Sequence, residues 1–561
     1  MPADAWMTSG QGHPRRWAIL GVLVVGLLIV VLDNTVLNIA LPTIQEDLDA
    51  TPGQLVWAVD SYILVFAALL FTWGVLGDRY GRKRVLVIGL AIFGLASAAC
   101  AFATTPEMLI GLRALMGVGG AAVTPTTLAI ITVVFPPHER GKAIGAWAGA
   151  VGAAVALGPV LGGLLLEHPE WSSWITGNDW GAVFLINVPI VILGLIGVWR
   201  VVPESKNPNP QLLDLVGLVL SIVGLTLLVY GIIDVSRVLV WTSPQVLAPI
   251  IGGLAVIAIF LWYEARSERR SFDVSLFRNR GYAVSLTAVT LAFFALSGIT
   301  FTLPFYFQVL RDYTTLQAGL CFLPFAVGQL LAAPRSAKMV LRFGYRAVMT
   351  TGLVLVALSM AALVFIQIDT PLWIALVIFF VFGFGMGDVI APASTVMQNA
   401  LPLGRAGAGS AVQNTVRQVG GALGVAIIGT VLATQYTSRV DSILDDLPDA
   451  IPESARSAAS ESIIATDQVL AAAQAQGAPA ELVSTVRDRA YEAFLLSSHV
   501  TYVISMALVV VAALVVAFVL PRISPPRKDD EPNRPDPADA SARRVPPAAG
   551  DGKPAIPAEG P

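Results

Sequence analysis

The chain has 561 residues, of which 55% are hydrophobic and only 13% are charged, and its formal net charge at pH 7 is -3. A soluble globular protein carries roughly 25% charged residues, so this composition excludes a chain of soluble domains. The weak net charge gives no reason to expect a nucleic-acid partner. Long apolar runs recur from Trp17 to Leu520, and many approach the ~20 residues that cross a bilayer as a helix. We therefore predict an all-α polytopic membrane protein.

In chain order, the apolar runs predict about fourteen membrane spans. The first run is longer than a signal-peptide core and has no small-residue cleavage site, so we expect it to be retained. The predicted spans are 17–41, 54–77, 84–103, 107–133, 143–166, 181–202, 211–233, 245–264, 283–307, 316–334, 346–367, 371–396, 410–434 and 496–520. Basic residues crowd the short loops on one side, whereas the short loops on the other side hold only Arg237 and Arg311. The positive-inside rule then places both termini in the cytoplasm.

Two segments of the sequence do not read as spans. Residues 435–495 form a long outward loop, in which 451–475 and 479–494 are candidates for a helical hairpin over the outer face. The tail 521–561 is rich in proline and mixed charge, which predicts disorder. Cys100 and Cys321 lie in apolar runs and suit core packing, so we expect neither a disulfide, nor a metal site, nor a cofactor.

An internal repeat indicates the architecture. The string "GVGGAAVTP" (117–125) resembles "GFGMGDVIAP" (383–392), and the same offset of about 263–267 residues aligns Arg140 with Arg405 and Gly81 with Gly344. Parallel six-span halves with a substrate site between them describe a secondary transporter that alternates access. We call 17–202 the N-terminal half and 278–520, which includes the outward loop, the C-terminal half. Residues 1–16 are then a cytoplasmic tail, and 203–277 hold two inserted spans and a cytoplasmic linker.

Three charged residues lie at similar predicted depth in the N-terminal half. At 1.5 Å per helical residue, Asp33 lies roughly 12 Å inside the outer end of the first span, and Asp60 and Arg113 are about six residues deep in theirs. A carboxylate at bilayer depth costs roughly 2.5–3.5 kcal/mol, and a buried arginine needs a partner. One interpretation is a purely structural Asp–Arg pair. We favour the other, in which Asp33 attracts a cationic substrate when ionised and releases it when protonated from outside, and Arg113 tunes its charge.

The C-terminal half has its own buried charges, Asp388 and Arg417, at inner-half depth. We expect them to pair in a structural or gating salt bridge, with a direct substrate role as the alternative. An acidic cavity lined by aromatic and amide side chains suits lipophilic cations. The candidates for such a lining are Trp57, Tyr62, Phe305, Tyr306, Gln308, Gln413 and Asn414.

Several local strings resemble motifs of the major facilitator superfamily. These are "GVLGDRYGRKR" (74–84), "LIGLRALMGVGGAA" (109–122), "GAVGAAVALGPVLGG" (149–163), "LDNTVLNIALP" (32–42) and "FLINVPI" (184–190). Together they resemble the fourteen-span drug:proton antiporter branch, which includes quaternary-ammonium and multidrug exporters. Met116 stands where that branch often has a glutamine. The resemblance implies a major facilitator fold of two six-helix bundles plus two inserted helices.

The resemblance also assigns roles to two glycine-containing motifs. It implies a cytoplasmic gate that stabilises the outward-facing state, in which Asp78 caps a neighbouring helix or pairs with an arginine such as Arg140. The gate residues are Gly74, Asp78, Arg79, Gly81, Arg82 and Arg140. The antiporter motif comprises Gly149, Gly158, Pro159, Gly162 and Gly163. Its glycines suit close helix packing, and in exporters of this family the motif is associated with a bend.

The sequence therefore predicts a proton-coupled antiporter that exports hydrophobic, cationic drugs or toxins through a cell membrane as a monomer, with protons and membrane lipid as its other partners. An exporter of an endogenous metabolite, antibiotic or lipid is the first alternative, and a non-transporting scaffold or sensor is the second. The sequence contains no G-x-x-x-x-G-K-[ST] loop for a nucleotide-driven pump and no serine–histidine or metal-ligand constellation, so we do not expect an enzyme.

Overall fold

A computed structural model describes residues 12–50, 52–206, 214–238, 242–267, 274–401, 406–444, 460, 463–475 and 478–522. Across these ranges the secondary structure is helical, without a strand. The predicted tail beyond Arg522 lies outside the described residues, as do Arg405 and much of the predicted outer hairpin. The all-α prediction is therefore confirmed for the described part of the chain.

The N-terminal half is built from long apolar helices joined by short turns. Pro106 at the first helical position and Thr105, whose hydroxyl accepts a hydrogen bond from the Met108 amide at 3.2 Å, start the fourth of them, as expected for a proline and an N-cap threonine. The helices are α1 (Arg16–Leu48), α2 (Pro52–Tyr80), α3 (Arg82–Cys100), α4 (Pro106–Val134), α5 (Pro137–Glu167), α6 (Ser173–Thr176), α7 (Ala182–Leu185) and α8 (Asn187–Val201).

The insert and the C-terminal half follow the same pattern. The inserted helices are α9 (Leu215–Val238) and α10 (Pro244–Arg266). The helices of the C-terminal half are α11 (Arg280–Phe305), α12 (Thr315–Leu320), α13 (Leu323–Leu363), α14 (Leu372–Asn399), α15 (Ala406–Leu444), α16 (Ile463–Ala475) and α17 (Ala480–Val519). A π-helical turn, Tyr306–Leu310, extends α11.

Two glycines that the repeat aligns share an unusual backbone conformation. Gly81 separates α2 from α3 with φ 115°, and Gly344 interrupts α13 with φ 82°. Both values lie where a side chain is disfavoured and glycine is not. Each glycine therefore divides two consecutive apolar segments, and α13 contains the predicted spans 316–334 and 346–367 in part.

Twelve helices among the described residues are long and apolar enough to cross a membrane. This establishes a multi-pass membrane protein but does not match the predicted count of fourteen. One of the twelve, Leu316–Leu363, includes the break at Gly344, and α5, with 31 residues, is not among them. The fourteen-span topology and the predicted domain boundaries remain predictions.

The last helices extend well beyond the bilayer. The 39 residues of α15 and the 40 of α17 correspond to roughly 60 Å each, against a hydrocarbon core of about 30 Å. Their ends pack with α16, where the Tyr436 and Thr466 hydroxyls are 2.5 Å apart and Asp467 accepts a hydrogen bond from Tyr491 at 3.0 Å. Residues 480–494, predicted as half of a separate hairpin, are continuous with the final span.

Candidate functional site

A buried ion pair joins α1 to α4. The Arg113 guanidinium donates through Nη1 to Oδ2 of Asp33, and the exposed fractions of the two residues are 0% and 2%. The carboxylate expected beside Arg113 is therefore that of Asp33. Because both charges are removed from solvent, loss of either one leaves the other uncompensated, at a cost of roughly 3–5 kcal/mol.

The second oxygen of this carboxylate is held by a chain of polar side chains. Asn187, the first residue of α8, donates through Nδ2 to Oδ1 of Asp33 at 3.0 Å and to Oγ of Ser97 at 3.0 Å. Ser97 in turn donates to the Phe184 carbonyl at 2.9 Å. Asn187 is not among the predicted site residues, although it lies in the string "FLINVPI"; its polarity within an apolar run is the signal that identifies it.

Arg113 also binds the neighbouring helix α2. Its Nε donates to the Ala58 carbonyl at 3.2 Å, and its guanidinium lies 4.5 Å from the centre of the Tyr62 ring. Nη1 also approaches Sδ of Met116 at 3.8 Å. The remaining nitrogen, Nη2, is buried and has no hydrogen-bond partner in the described structure. Arg113 thus connects Asp33 to the backbone of α2, two residues before Asp60.

Asp60 lies in a different setting from Asp33. It is half-buried and lines a cavity of about 230 Å³ where α2, α9, α11 and α15 meet. The lining residues are Asp60, Ile63, Ile232, Ile233, Ser297, Gln418, Gly421, Ala422, Val425 and Ala426. The cavity is apolar apart from a few polar side chains, and it lies between the two halves with an inserted helix as one wall. The sequence predicts Asp33, Asp60 and Arg113 at similar depth, but Asp60 lines the cavity whereas Asp33 is buried against Arg113 and Asn187.

None of the seven side chains predicted to form a substrate cavity lines this one. Tyr62 packs between Arg113 and Phe66, and Trp57 stacks on Tyr230 at 6.2 Å. The Tyr306 hydroxyl donates to the Gln367 carbonyl at 2.8 Å. The amides Gln413 and Asn414 are buried, Phe305 is half-buried against Phe494, and Gln308 is exposed. The residue types were suitable, but their directions around each helix were not given by the sequence.

The buried charges of the C-terminal half do not pair with each other. Asp388 and Arg417 are both buried, as predicted, but the ion partner of Asp388 is Arg335, at 3.7 Å. The Arg417 guanidinium instead lies over the rings of Phe293 and Trp147, at 5.1 and 5.9 Å. The predicted Asp388–Arg417 pair is wrong, because equal depth on two helices does not make their side chains face each other.

The gate motif forms contacts at the predicted cytoplasmic end of α2. Asp78 accepts two hydrogen bonds from Arg82, at 2.6 and 3.0 Å, and the Arg82 amide donates to the Ser205 carbonyl at 2.9 Å. Arg140 does not pair with Asp78 but donates to Oδ1 of Asn399 at 3.1 Å and to the Phe135 carbonyl at 3.2 Å. Of the other gate residues, Gly74 is buried, and the Arg79 guanidinium lies over the ring of Tyr80 at 5.5 Å.

Further polar contacts join the two halves at this end. The Thr132 hydroxyl lies 3.2 Å from Oε1 of Gln398, whose Nε2 donates to Ser410 at 3.0 Å. About three helical turns further into the bundle, Gln329 donates to the Ala148 carbonyl at 2.8 Å, which also joins the halves. Neither Gln398 nor Asn399 was predicted, since an amide at the end of a span has no distinctive pattern. The Thr132–Gln398 and Arg140–Asn399 contacts close the molecule at the end where α4 and α14 terminate.

The glycines of the antiporter motif place α5 against helices of both halves. A Cβ on Gly158 would lie 1.8 Å from Oγ1 of Thr35 on α1, and one on Gly149 would lie 3.2 Å from Leu330 on α13. Gly162 and Gly163 are also buried, and the side chain of Pro159 lies outside the described residues. The contacts explain the glycines by close packing, and α5 is one continuous helix from Pro137 to Glu167.

Comparison with known proteins agrees with this architecture. The family model of the Major Facilitator Superfamily matches residues 23–425. The multidrug efflux pump LfrA of Mycolicibacterium smegmatis is 36% identical over 91% of this chain and 97% of its own. The methyl viologen resistance protein SmvA of Salmonella typhimurium is 32% identical over 76% of this chain and 84% of its own.

Among solved structures, the proton:xylose symporter XylE superposes with a TM-score of 0.57 at 16% identity, over 90% of this chain and 96% of that one. This likeness concerns the fold alone. The family model matches well over half of the chain. The two relatives above 30% identity, which are matched over most of their length, support the same family. The chain belongs to the major facilitator superfamily.

Proposed function

We propose that this chain is a proton-coupled secondary antiporter that exports hydrophobic, cationic drugs or toxins across the cell membrane by alternating access. Its family supports a transporter rather than an enzyme. A multidrug efflux pump and a methyl viologen resistance protein among its long relatives support drug efflux. Methyl viologen is an organic dication, which favours a cationic substrate.

The observation that carries the proposal is the link from the buried Asp33–Arg113 pair to the cavity. Arg113 binds Asp33 and the Ala58 carbonyl simultaneously, and Asp60 follows Ala58 by two residues on α2. Protonation of Asp33 removes the negative charge opposite Arg113, whose other partners are all neutral: the Ala58 carbonyl, the Tyr62 ring and Sδ of Met116. A change in the position of Arg113 therefore acts directly on the helix that carries Asp60.

This arrangement divides between two carboxylates the roles that the sequence alone suggests for one. In this proposal Asp33, which is 2% exposed and bound by Arg113 and Asn187, takes the proton, because the proton cancels the charge that holds Arg113. Asp60 is half-buried at the cavity, so it contacts the positive charge of the substrate. The Coulomb attraction between a cation and an ionised carboxylate is stronger in a cavity of low polarity than in water.

The closed end indicates which step of the transport cycle this structure represents. If both termini are cytoplasmic, the Thr132–Gln398 and Arg140–Asn399 contacts close the cytoplasmic side. A closed cytoplasmic side fits the outward-facing state, in which a bound drug leaves and a proton enters. Alternating access requires these contacts to open when the halves rock against each other.

Dye transport in inverted membrane vesicles with an imposed pH gradient tests the proposal. We expect gradient-driven ethidium uptake by the wild type, no gradient dependence in Asp33→Asn, and in Asp60→Asn a greater loss for methyl viologen than for the monovalent ethidium. Asp47→Asn is the matched control, since Asp47 is an exposed carboxylate at the end of the same helix and binds Trp180. Full proton-driven transport by Asp33→Asn contradicts the proposal.

A further inference from the structure

Arg417 on α15 is a buried cation for which the described structure offers no ion pair. Its exposed fraction is 8%, and its Nε is buried without a hydrogen-bond partner. Two other buried arginines of the chain are satisfied by carboxylates, since Arg113 binds Asp33 and Arg82 binds Asp78. Arg417 differs from them because its partners in the described structure are two aromatic rings.

These aromatic contacts do not offset the cost of burying the charge. The guanidinium lies 5.1 Å from the ring of Phe293 on α11 and 5.9 Å from that of Trp147 on α5. A cation–π contact contributes about 0.5–2 kcal/mol. Removal of an arginine from water costs several kcal/mol, and the group cannot neutralise itself by losing a proton. The site is therefore suited to a negatively charged group.

A second polar atom on the same helix face also lacks a partner. Asn414 precedes Arg417 by three residues, so the two side chains lie on one face of α15. Nδ2 of Asn414 donates to the Ser410 carbonyl at 2.9 Å, but its Oδ1 is buried without a hydrogen-bond partner. The face thus presents a positive donor and a neutral acceptor, a combination that fits an acidic group bearing a neighbouring donor.

The position of this face places it on the transport path. Gln413, one turn before Arg417, donates to Ser394 at 2.5 Å within the polar contacts that close the molecule at that end. Gln418, the residue after Arg417, lines the cavity that contains Asp60. Trp147 belongs to the N-terminal half and Phe293 to the C-terminal half. Arg417 therefore lies between the halves, between the closed end and the cavity.

We propose that Arg417 and Asn414, which the closed state buries, bind an acidic group of the substrate when the two halves separate, a carboxylate or phenolate on an aromatic body that packs against the half-buried Phe293. The inference rests on the proposed function and extends its substrate class from hydrophobic cations to zwitterionic aromatic compounds. Asp60 receives the cationic end and Arg417 the acidic end. Two charged contacts of opposite sign also give specificity, because a ligand lacking one of the groups leaves the matching side chain unpaired.

A pair of dyes that differ in one group tests the proposal. Tetramethylrhodamine carries a carboxylate, and its methyl ester does not. Dissociation constants for both dyes are measured by fluorescence polarisation on the full-length protein in nanodiscs, for the wild type, Arg417→Gln, Arg417→Lys and Asn414→Ala. Arg266→Gln is the matched control, because the exposed Arg266 lies over the Trp262 ring at 4.4 Å at the end of α10.

We expect Arg417→Gln to weaken binding of the acid about ten- to a hundredfold more than binding of the ester, which is the scale of a hydrogen bond to a charged group. Arg417→Lys should retain part of the preference, Asn414→Ala should lose a smaller part, and Arg266→Gln should change neither constant. Equal weakening of both dyes assigns Arg417 a purely structural role and overturns the inference. If Arg417→Gln does not fold, an unchanged acid-to-ester ratio in both Arg417→Lys and Asn414→Ala overturns it.

The proposed function is tested separately with the same dyes. Gradient-driven transport of the methyl ester by the wild type depends on proton coupling and not on Arg417. The ratio of the two dissociation constants is measured without a gradient. Absence of transport with a changed ratio contradicts the proposed function alone, and transport with an unchanged ratio contradicts this inference alone.

Discussion

The Asp33–Arg113 pair allows a quantitative test by a double-mutant cycle. We consider Asp33→Leu, Arg113→Met and the double variant, each of which replaces a charged side chain by an apolar one of comparable volume. Since the two residues are 2% and 0% exposed, the pair is almost fully desolvated. Each single variant leaves one buried charge without its counter-ion, whereas the double variant leaves none.

The two single variants should lose different amounts of free energy of unfolding. Asp33→Leu leaves Arg113 permanently charged, with neutral partners alone: the Ala58 carbonyl at 3.2 Å, the Tyr62 ring at 4.5 Å and Sδ of Met116 at 3.8 Å. We expect a loss of about 3–5 kcal/mol in the free energy of unfolding. Arg113→Met should cost less, because Asp33 can neutralise its charge by binding a proton. The double variant should be more stable than Asp33→Leu, since buried pairs replaced by apolar residues are often neutral in stability.

Unfolding free energies in a dodecyl sulfate titration, together with thermal midpoints in one mild detergent, measure the cycle. Glu139→Gln is the control, because its partner Arg16 is 24% exposed in the side chain and such a pair contributes at most about 1 kcal/mol. All three variants of the buried pair should lose proton-driven transport. Additive single effects, or a double variant less stable than both single ones, would refute the reasoning about buried charge.

Two further predictions concern packing and pH. Gly158→Ala should lower the free energy of unfolding by about 1–3 kcal/mol, because the new Cβ would lie 1.8 Å from Thr35. Gly21→Ala is the control: a Cβ there has no neighbour within 4 Å, so the change should be neutral or stabilising. Equal thermal midpoints of the two variants would contradict the packing argument. The hydrogen bond from Arg16 at 2.6 Å holds the pKa of Glu139 below its ordinary value of about 4.3. The contribution of the Arg16–Glu139 pair to stability is complete above the ordinary pKa and is lost as the pH falls through the lowered pKa. The thermal midpoints of the wild type and Glu139→Gln should therefore converge in acid. A difference between the midpoints that persists in acid would contradict a stabilising role of the pair.

Much of the fold follows from the sequence because lipid imposes simple rules on it. Apolar runs of sufficient length must be helices that satisfy their own backbone, and twelve described helices meet that length. The repeat aligned Gly81 with Gly344, and both take a positive φ that divides successive helices. The number of spans does not follow in the same way: two predicted spans lie on either side of Gly344 within α13, and α5, which contains the predicted span 143–166, is not among the twelve.

The sequence by itself predicted a depth for each charged residue and determined the need for a carboxylate beside Arg113, which the structure supplies as Asp33. Depth depends only on the helical rise and the span ends, both of which are encoded locally. Only the tertiary structure decided which side chains face each other. It paired Asp388 with Arg335, placed Arg417 over Trp147 and Phe293, and put Asp60 at a cavity apart from Asp33. The sequence gives the position of a side chain around its own helix. Which side chain it then contacts depends on how helices distant in sequence pack together.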